Sequence, residues 1–263
     1  MSAPLSIMSW NVNSIRARLD HVLTYLYDHE PDVVCLQETK VQDKLFPRVP
    51  FMELGYQVTL HGGKMQAGVA TLTKRKPDAV QAGFAEGETD RHPRVLAVTL
   101  GDLRIYNLYV PNGTELGSDA YRYKLAWLRR LREELDATWS AEQPLVIVGD
   151  FNIAPDGRDV YDEERFVGRL LYTDEEHDAL RNLLDFGLED CFRLHVEEGG
   201  HYTWYDYRTN GFERNEGLRI DHVYATAPMA KCCAEVRHDP KPRGWEVPSD
   251  HVPVVARFES SGG

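Results

Sequence analysis

Runs of consecutive apolar residues recur along the chain, and several of them end in polar side chains. Residues 145–148 are four β-forming residues in a row, which predicts a strand buried on both faces. Gly149, Asp150 and Asn152 follow this run almost directly. Residues 7–13 and 33–38 have the same form, because each is an apolar stretch that ends in amides or a carboxylate. The pattern places polar groups at strand ends, where loops often carry function.

Segments of helical periodicity separate these predicted strands. The first helix presents one apolar face formed by Ile15, Leu19, Val22, Leu23 and Leu26. Pro31 ends it before the strand at 33–38, so the start of the chain predicts a βαβ unit. A second amphipathic helix spans residues 121–135. Thr173 and Glu176 form the capping box of a third, which ends at Gly187.

The middle of the chain predicts antiparallel strands. Residues 68–73, 95–100 and 104–110 are strand-like, and Gly101 with Asp102 is a hairpin signal between the last two. Further strands are expected at 219–225 and 252–258. Helices around two such halves predict a layered α/β sandwich. Because the sequence contains no repeat, low-complexity tract or linker, we expect a single domain over residues 1–263.

Composition and charge narrow the classes of function. A hydrophobic content of 42% and a charged content of 27% are typical of a globular protein. The net charge of -12 argues against a general nucleic-acid coat and against a membrane partner, although a local basic surface stays possible. Residues 1–5 lack the basic region of a signal peptide. The four cysteines have neither a CxxC nor a zinc spacing, so we expect a reduced, cytoplasmic protein.

The polar residues at strand ends suggest a metal site. They are Asn11, Glu38, Tyr109, Asp150, Asn152, Asp221, Asp250 and His251. Carboxylates that meet at one point repel each other unless a cation lies among them. Oxygen-rich ligands without a cysteine cluster favour Mg²⁺, with Mn²⁺ as a substitute, over zinc. Glu38 is the first choice as direct ligand, and Asn11 helps to hold the ion without adding charge.

Such a site suits the hydrolysis of a phosphate ester, because a metal polarises the phosphoryl oxygens. Asp150 is expected to orient and deprotonate water, and Asn152 to hold the water or a phosphate oxygen. His251 would donate as an imidazolium, with Asp221 on its other nitrogen. Tyr109 would assist the leaving oxygen. Each residue alone has a simpler explanation as a turn, a cap or a solvated charge, so the specificity lies in their co-occurrence.

Six segments, in this order, resemble the exonuclease III-type apurinic/apyrimidinic endonucleases: Trp10-Asn11-Val12-Asn13, Leu36-Gln37-Glu38-Thr39-Lys40, Tyr109-Val110-Pro111-Asn112, Gly149-Asp150-Phe151-Asn152, Leu218-Arg219-Ile220-Asp221 and Ser249-Asp250-His251. The resemblance implies a four-layered α/β sandwich, in which two mostly antiparallel sheets pack face to face with helices on both outer faces. It also implies Mg²⁺-dependent cleavage of double-stranded DNA 5′ to abasic sites, 3′→5′ exonuclease activity and trimming of blocked 3′ ends in base excision repair. A monomer is the default expectation.

The strand-end chemistry and the resemblance together assign residues to roles. The predicted metal site consists of Asn11, Glu38, Asp150, Asn152, Asp250 and His251. The predicted catalytic set consists of Tyr109, Asp150, Asn152, Asp221 and His251. Two positions depart from the family pattern. Asn13 stands where some relatives have Asp, which predicts a weaker metal site, and Val247 stands where many bacterial relatives have Lys, which predicts one phosphate contact fewer.

The predicted contacts to DNA and to the abasic sugar are Lys40, Asn112, Trp204, Tyr205, Arg208, Arg214 and Trp245. A sugar without a base is recognised by an apolar pocket that a normal nucleotide would overfill. Trp204 with Tyr205 is the predicted wall of that pocket, and a core aromatic cluster is the alternative. The arginine-containing loop at 208–217 is expected to enter the minor groove. Lys40 is also expected to steady Glu38.

Two other functions stay open at this point. A relative that acts on phosphoinositides, sphingomyelin or RNA ends would share Glu38, Asp150, Asn152 and His251, but it has no evident need for the aromatic segment at 202–207. A non-catalytic DNA-binding module would have lost metal or base residues, and no such residue is missing from this sequence. The sequence therefore favours the abasic-site endonuclease.

Overall fold

The structure is a computed structural model that describes residues 4–63, 66–85, 90 and 92–260. Residues 1–3, which belong to the segment examined above for a signal peptide, therefore lie outside the described residues. The strands are β1 (Leu5–Asn11), β2 (Val33–Gln37), β3 (Gln57–His61), β4 (Val69–Thr73), β5 (Ala79–Ala82), β6 (Val95–Leu100), β7 (Leu103–Tyr109), β8 (Leu145–Asp150), β9 (Leu188–Asp190), β10 (Asp221–Thr226), β11 (Cys233–His238) and β12 (Val254–Phe258). The helices are α1 (Leu19–His29), α2 (Arg48–Glu53), α3 (Asp119–Thr138), α4 (Glu163–Phe166), α5 (Asp174–Leu184) and α6 (Ala227–Ala230).

The strands form two sheets of six. The first has the order β11-β12-β1-β2-β4-β3, and the second has the order β5-β6-β7-β8-β10-β9. Neighbouring strands are antiparallel except for β1 with β2 and β7 with β8, which are parallel. Helices α1 and α3 make these two parallel connections. The predicted βαβ start and the mostly antiparallel sheets are therefore confirmed.

The two sheets pack face to face between outer layers of helices. Ile7 of the first sheet and Val146 and Val148 of the second share one buried apolar cluster between the sheets. Leu145 and Ile147 point to the other side of β8 and pack beneath α3 and α5. Because successive strand residues face opposite sides, β8 needs an uninterrupted apolar run. Helices α1 and α2 cover the first sheet in the same way, which confirms the four-layered α/β sandwich.

The first helix is shorter than its apolar pattern predicts. Asn13 and Ser14 have φ angles of 45° and 95°, which a right-handed helix does not accommodate. The backbone N–H of Ser14 donates to the Glu38 carbonyl at 2.8 Å, and that of Ile15 donates to the Thr39 carbonyl at 3.2 Å. Ile15 is still fully buried in the core. The segment is thus held against the end of β2, and α1 begins at Leu19.

The cysteines are free thiols, and Cys35 and Cys191 are buried as predicted. None of the helices within the described residues is long and apolar enough to cross a membrane.

Candidate active site

The polar ends of strands from both sheets meet at one edge of the sandwich. In the second sheet the register places Tyr109 of β7 and Asp221 of β10 directly beside Asp150 of β8. In the first sheet Asn11 pairs with the last residue of β2, and Glu38 follows that residue. A buried hydrogen bond joins the two sheets: Gln37 Nε2 of β2 donates to Asn107 Oδ1 of β7 at 2.8 Å. This bond helps to fix the position of one sheet against the other.

Glu38, Asp150 and His251 form a compact cluster at this edge. One ligand atom from each lies within 4.8 Å of the others. Asn11 Nδ2 donates to Glu38 Oε1 at 2.8 Å and to Asp150 Oδ2 at 2.9 Å, so one amide joins a carboxylate of each sheet. Lys40 Nζ lies 2.7 Å from Glu38 Oε2 and supplies a positive charge beside it.

His251 is held between two carboxylates. Its Nδ1 lies 2.8 Å from Asp221 Oδ2, and its Nε2 lies 3.7 Å from Asp150 Oδ2. The main chain of His251 is fixed as well, because Trp10 Nε1 donates to its carbonyl at 3.1 Å. Ser249 Oγ accepts from the His251 N–H at 3.3 Å and donates to the Asn11 carbonyl at 2.6 Å. The imidazole therefore has one fixed orientation.

Burial and neighbouring charges shift the pKa values of the central groups. Burial, followed by the charges of Asp221 and Glu38, raises the pKa of Asp150 to about 7 against the lowering effect of His251. Burial acts to lower the pKa of His251, but Asp221 and Asp150 outweigh it and raise that pKa to about 10. Burial and the nearby carboxylates raise the pKa of Tyr109 well above its usual value. His251 and Tyr109 can thus donate protons at neutral pH, and Asp150 changes its protonation state there.

The donors in the cluster fit a hard divalent cation. Glu38 and Asp150 offer carboxylate oxygens, and a cation between them would remove the repulsion that raises the pKa of Asp150. His251 belongs to the same cluster, but an imidazolium bound to Asp221 has no free lone pair for a metal. Glu38 and Asp150 are the residues that would hold the ion, while the Asn11 amide directs its N–H groups at both carboxylates and its oxygen accepts from the Asn13 N–H at 3.0 Å.

The structure places the other two predicted ligands beside this cluster. Asp250 Oδ1 accepts from Asn13 Nδ2 at 3.1 Å, and its Oδ2 accepts from Trp204 Nε1 at 3.0 Å. Asn152 Oδ1 accepts from Asn112 Nδ2 at 2.8 Å, and its Nδ2 donates to the Val110 carbonyl at 3.1 Å. The oxygens of Asp250 and Asn152 are thus engaged by protein donors, and direct ligation of a metal by these two residues stays a prediction.

The amide at position 13 joins two charged groups. Asn13 Oδ1 accepts from Lys40 Nζ at 2.5 Å, while its Nδ2 donates to Asp250. An aspartate at this position has no N–H to donate. Asn13, which stands where some relatives have Asp, thus links Lys40 to Asp250 by two hydrogen bonds.

Several backbone positions around the cluster have unusual conformations. Glu38 and Asn152 have φ angles of 50° and 52°, which few residues other than glycine adopt. Gly149, which precedes Asp150, has a φ of 144°, and a Cβ atom there would lie 1.9 Å from the Leu108 carbonyl oxygen. The position therefore requires glycine. Strained backbone of this kind is common where a fold holds functional groups in place.

Of the two aromatic residues predicted to form a wall, Trp204 lies at the site. It is half-buried and forms a β-bridge with His251. Tyr205 is only 5% exposed and packs with Tyr202 and Phe212 in an aromatic cluster. Successive residues of an extended segment point in opposite directions, so only one of the pair can face the site. Tyr205 thus matches the alternative of a core aromatic residue, and pairing it with Trp204 as the wall was wrong.

The remaining predicted DNA contacts are spread over the surface, apart from Lys40 and Asn112. Arg208 and Arg214 are exposed, and each is paired through its guanidinium fork with a carboxylate two residues away. Trp245 packs against His21 of α1 with a ring separation of 5.1 Å, on the outer side of the first sheet. These three residues do not contact the carboxylate cluster.

Two basic residues at the site were not predicted. Arg94 lies over the Tyr109 ring at 4.6 Å and donates to the Tyr109 carbonyl at 3.2 Å. Lys124 of α3 is fully buried and donates to the Asn152 carbonyl at 2.6 Å. The signal for Lys124 was its spacing, because it lies three residues after Tyr121 and four before Leu128, on the apolar face of the helix.

Comparisons with known proteins agree with this geometry. Residues 8–251 match the model of the Endonuclease/Exonuclease/phosphatase family. The chain is 35% identical to exodeoxyribonuclease III of Haemophilus influenzae, over 97% of this chain and 100% of that protein. An AP endonuclease from Archaeoglobus fulgidus is 37% identical, with a TM-score of 0.92 over 97% of this chain and 99% of that one. The 3′ phosphatase NExo from Neisseria, bound to a product DNA hairpin, is 38% identical, with a TM-score of 0.93 and the same coverage.

Proposed function

The chain belongs to the endonuclease/exonuclease/phosphatase family and is a DNA repair nuclease, and we propose that it cleaves double-stranded DNA 5′ to abasic sites with Mg²⁺ as cofactor. We include 3′→5′ exonuclease activity and the removal of blocking groups from 3′ ends, since exodeoxyribonuclease III and a 3′ phosphatase are among its relatives. The observation that carries the proposal is the meeting of Glu38, Asp150 and His251 within 4.8 Å at one edge of the sandwich.

In this proposal each residue of the site has one step of the reaction. A divalent ion, when bound, supplies Lewis-acid polarisation of a phosphoryl oxygen. Asp150 accepts a proton from the attacking water. His251 donates from Nε2 to a non-bridging oxygen, because Asp221 holds Nδ1. Tyr109 donates to the leaving oxygen. Asn152 retains one N–H beyond its bond to Val110, which can bind a phosphate oxygen.

We propose an abasic nucleotide as the substrate and a cytoplasmic monomer of one domain as the working form, and three features support the substrate and the compartment. Trp204 presents a half-buried indole next to His251, as an apolar wall for a sugar without a base requires. Lys40, Arg94 and Asn112 line an open groove beside Glu38 and Tyr109, where a phosphate backbone can bind. The free cysteines suit a reducing compartment.

The proposal is tested with three duplexes, each assayed with and without Mg²⁺. One carries a single internal abasic analogue, one carries a 3′ phosphate at a nick, and one is undamaged. We expect scission at the abasic position and release of the 3′ phosphate, both only with metal. Release of 3′ phosphate without internal scission would make the protein a 3′-end-processing enzyme. Binding without any product would contradict the nuclease function itself.

Glu38→Gln should shift the Mg²⁺ dependence of cleavage. The variant keeps the shape of the side chain but removes one negative charge from the ion site, so a higher Mg²⁺ concentration is needed for the half-maximal rate. We expect a displacement of about tenfold or more, since loss of a ligand or its support commonly weakens metal affinity by about 10–100-fold. The rate is titrated against Mg²⁺ at saturating DNA. An unchanged titration midpoint would show that Glu38 does not contribute to binding the metal.

The cleavage rate should have a bell-shaped dependence on pH. The pKa of Asp150 is raised to about 7, so the base form is lost, and the rate falls, as the pH drops below that value. The pKa of His251 is raised to about 10, so the donor form is lost as the pH rises above it. Bound Mg²⁺ shifts the acidic limb to lower pH by stabilising the Asp150 carboxylate. The apparent pKa values of the two limbs belong to the coupled pair of Asp150 and His251. Both values are obtained from kcat/KM measured from pH 5 to 10.5.

Asp221→Asn is the matching control for the alkaline limb. Because Asp221 is the carboxylate that raises the pKa of His251 most, its removal should move that limb to lower pH and leave the acidic limb closer to its place. An alkaline limb that stays in place in this variant would mean that His251 is not the group that titrates there.

A further inference from the structure

We propose that Lys124 is a positioning residue, whose ammonium fixes the main chain of Asn112 and Asn152 and thereby the amides of the active site. The inference rests on the proposed nuclease function and deepens it. Lys124 lies on α3 in the outer layer, and its side chain is fully buried. It does not belong to the carboxylate cluster and contacts the site only through its neighbours.

The three donors of the Lys124 ammonium have three acceptors. Nζ forms an ion pair with Glu176, and it donates to the Asn152 carbonyl at 2.6 Å and to the Asn112 carbonyl at 3.3 Å. A lysine ammonium has three N–H groups and no acceptor, so this set uses its full capacity. The group is therefore held by two loops and one helix at once.

The Glu176 carboxylate is held in place by three hydrogen bonds besides its ion pair with Lys124. Its carboxylate accepts from the Thr173 N–H at 3.1 Å, from Thr173 Oγ1 at 2.9 Å and from the Leu171 N–H at 3.2 Å. The first of these bonds belongs to the capping box that starts α5. Thr173 Oγ1 also lies 2.5 Å from the Tyr121 hydroxyl of α3. The two outer helices thus present the ammonium at a defined point beneath the site.

The residues held by Lys124 carry the polar groups that surround Asp150. The Asn152 N–H donates to Asp150 Oδ1 at 2.9 Å, and Asn112 Nδ2 donates to Asn152 Oδ1 at 2.8 Å. Asn152 has a φ of 52°, a conformation that needs outside contacts to persist. Fixing the two carbonyls therefore fixes two side-chain amides and one hydrogen bond to the proposed base.

Stability alone does not account for a buried pair at this place. Taking both charges out of water offsets much of their attraction, and apolar pairs of similar volume often stabilise a protein as well or better. Apolar residues of both helices, such as Leu128 of α3 and Leu180 of α5, belong to one buried cluster in the same layer. An apolar pair has no donor for the carbonyls of Asn112 and Asn152, and this is the contribution that requires lysine.

The test compares a double variant with two controls on the abasic duplex. Lys124→Met with Glu176→Gln removes both charges, and glutamine preserves the capping-box position of α5. Glu176→Gln alone keeps the ammonium on the two carbonyls. We expect the single variant to retain kcat within about threefold, and the double variant to lose about 10–100-fold in kcat with KM little changed, because displacements near 1 Å can lower rates by about 10²-fold. Equal kcat values for the two would overturn the proposal.

Two further measurements separate positioning from stability. Leu183→Ala opens a cavity beneath α5 and should lower Tm at least as much as the double variant, but it should keep kcat. In an Asn152→Ala background the double change should lower kcat by less than it does in the wild-type background, since part of the effect of Lys124 passes through the Asn152 side-chain amide. Fully additive losses, or an equal loss of kcat in Leu183→Ala, would show that Lys124 is only structural.

Two other results must be kept apart: a methionine variant that does not fold, and a wild-type protein that is inactive. If the methionine variant does not fold, Lys124→Gln with Glu176→Gln replaces it. Glutamine has two N–H donors for three acceptors and must still lower kcat below that of Glu176→Gln alone, or the proposal fails. A wild-type protein that cleaves no substrate would instead contradict the proposed function, independently of Lys124.

Discussion

Asp150→Asn is expected to lower the rate of DNA cleavage by about 10²–10⁴-fold, the usual contribution of a general base. The amide of asparagine cannot take the proton of the attacking water. The shape of the side chain is retained, and at most one of the hydrogen bonds from Asn11 and from the Asn152 N–H is lost. The change also removes a carboxylate whose pKa is raised by burial and by its acidic neighbours. The fold and the affinity for DNA should therefore change little.

The measurement is single-turnover cleavage of an abasic duplex at saturating Mg²⁺, with Kd for the same duplex measured separately. Asp136→Asn on the exposed face of α3 is the matched control and should cleave at the wild-type rate. Retention of more than about a tenth of the rate in Asp150→Asn would exclude Asp150 as the base. A parallel loss of DNA affinity would indicate a binding role instead.

Gly149→Ala should have the largest effect on stability. A Cβ at this position meets the Leu108 carbonyl oxygen at 1.9 Å, and the φ of 144° is unfavourable for alanine. We expect a destabilisation of about 2–6 kcal/mol, the sum of roughly 1–3 kcal/mol for the strained backbone and roughly 1–3 kcal/mol for overpacking. Because β7 and β8 must separate, Tyr109 and Asp150 move apart and cleavage is lost as well.

Urea unfolding at 25 °C measures this loss. Gly101→Ala is the control, because Gly101 also has a positive φ, of 65°, but no atom lies within 4 Å of the added Cβ. It should destabilise by only about 1–2 kcal/mol, the usual cost of a left-handed residue. Similar losses in the two variants would show that the contact with β7 does not decide the need for glycine.

The strands that the sequence predicts correctly are those whose pattern follows from burial. Strand β8 is buried on both faces and has a continuous apolar run, whereas β5 is largely exposed and has no regular pattern. Strand β9 has three residues, and β11 contains a register shift between Cys233 and Glu235 that interrupts its alternation. Short, exposed or irregular edge strands depend on their neighbours for pairing, so sequence alone did not predict them.

The residues of the site likewise divide into those that strand geometry places and those that depend on the packing of loops. Glu38 and Asp150 were predicted because each lies at or just beyond the end of an apolar run, and Asp221 begins a strand that runs antiparallel to β8, so its place also follows from strand geometry. Tyr205 and Trp245 were placed by residue type alone, and only the packing of the loops decides which way an aromatic ring points. Lys124 was missed since it contacts the site through two main-chain carbonyls, a kind of acceptor that every residue has.

The pairing of β1 with β12 makes the order of synthesis matter for this nuclease. Asn11 and Glu38 leave the ribosome early, but His251 arrives only just before β12, which follows the other described strands in sequence. A growing polypeptide that ends before residue 251 lacks the third member of the Glu38, Asp150 and His251 cluster. Assembly of the proposed site therefore requires a polypeptide that extends at least to residue 251 and a β12 that can pair with β1.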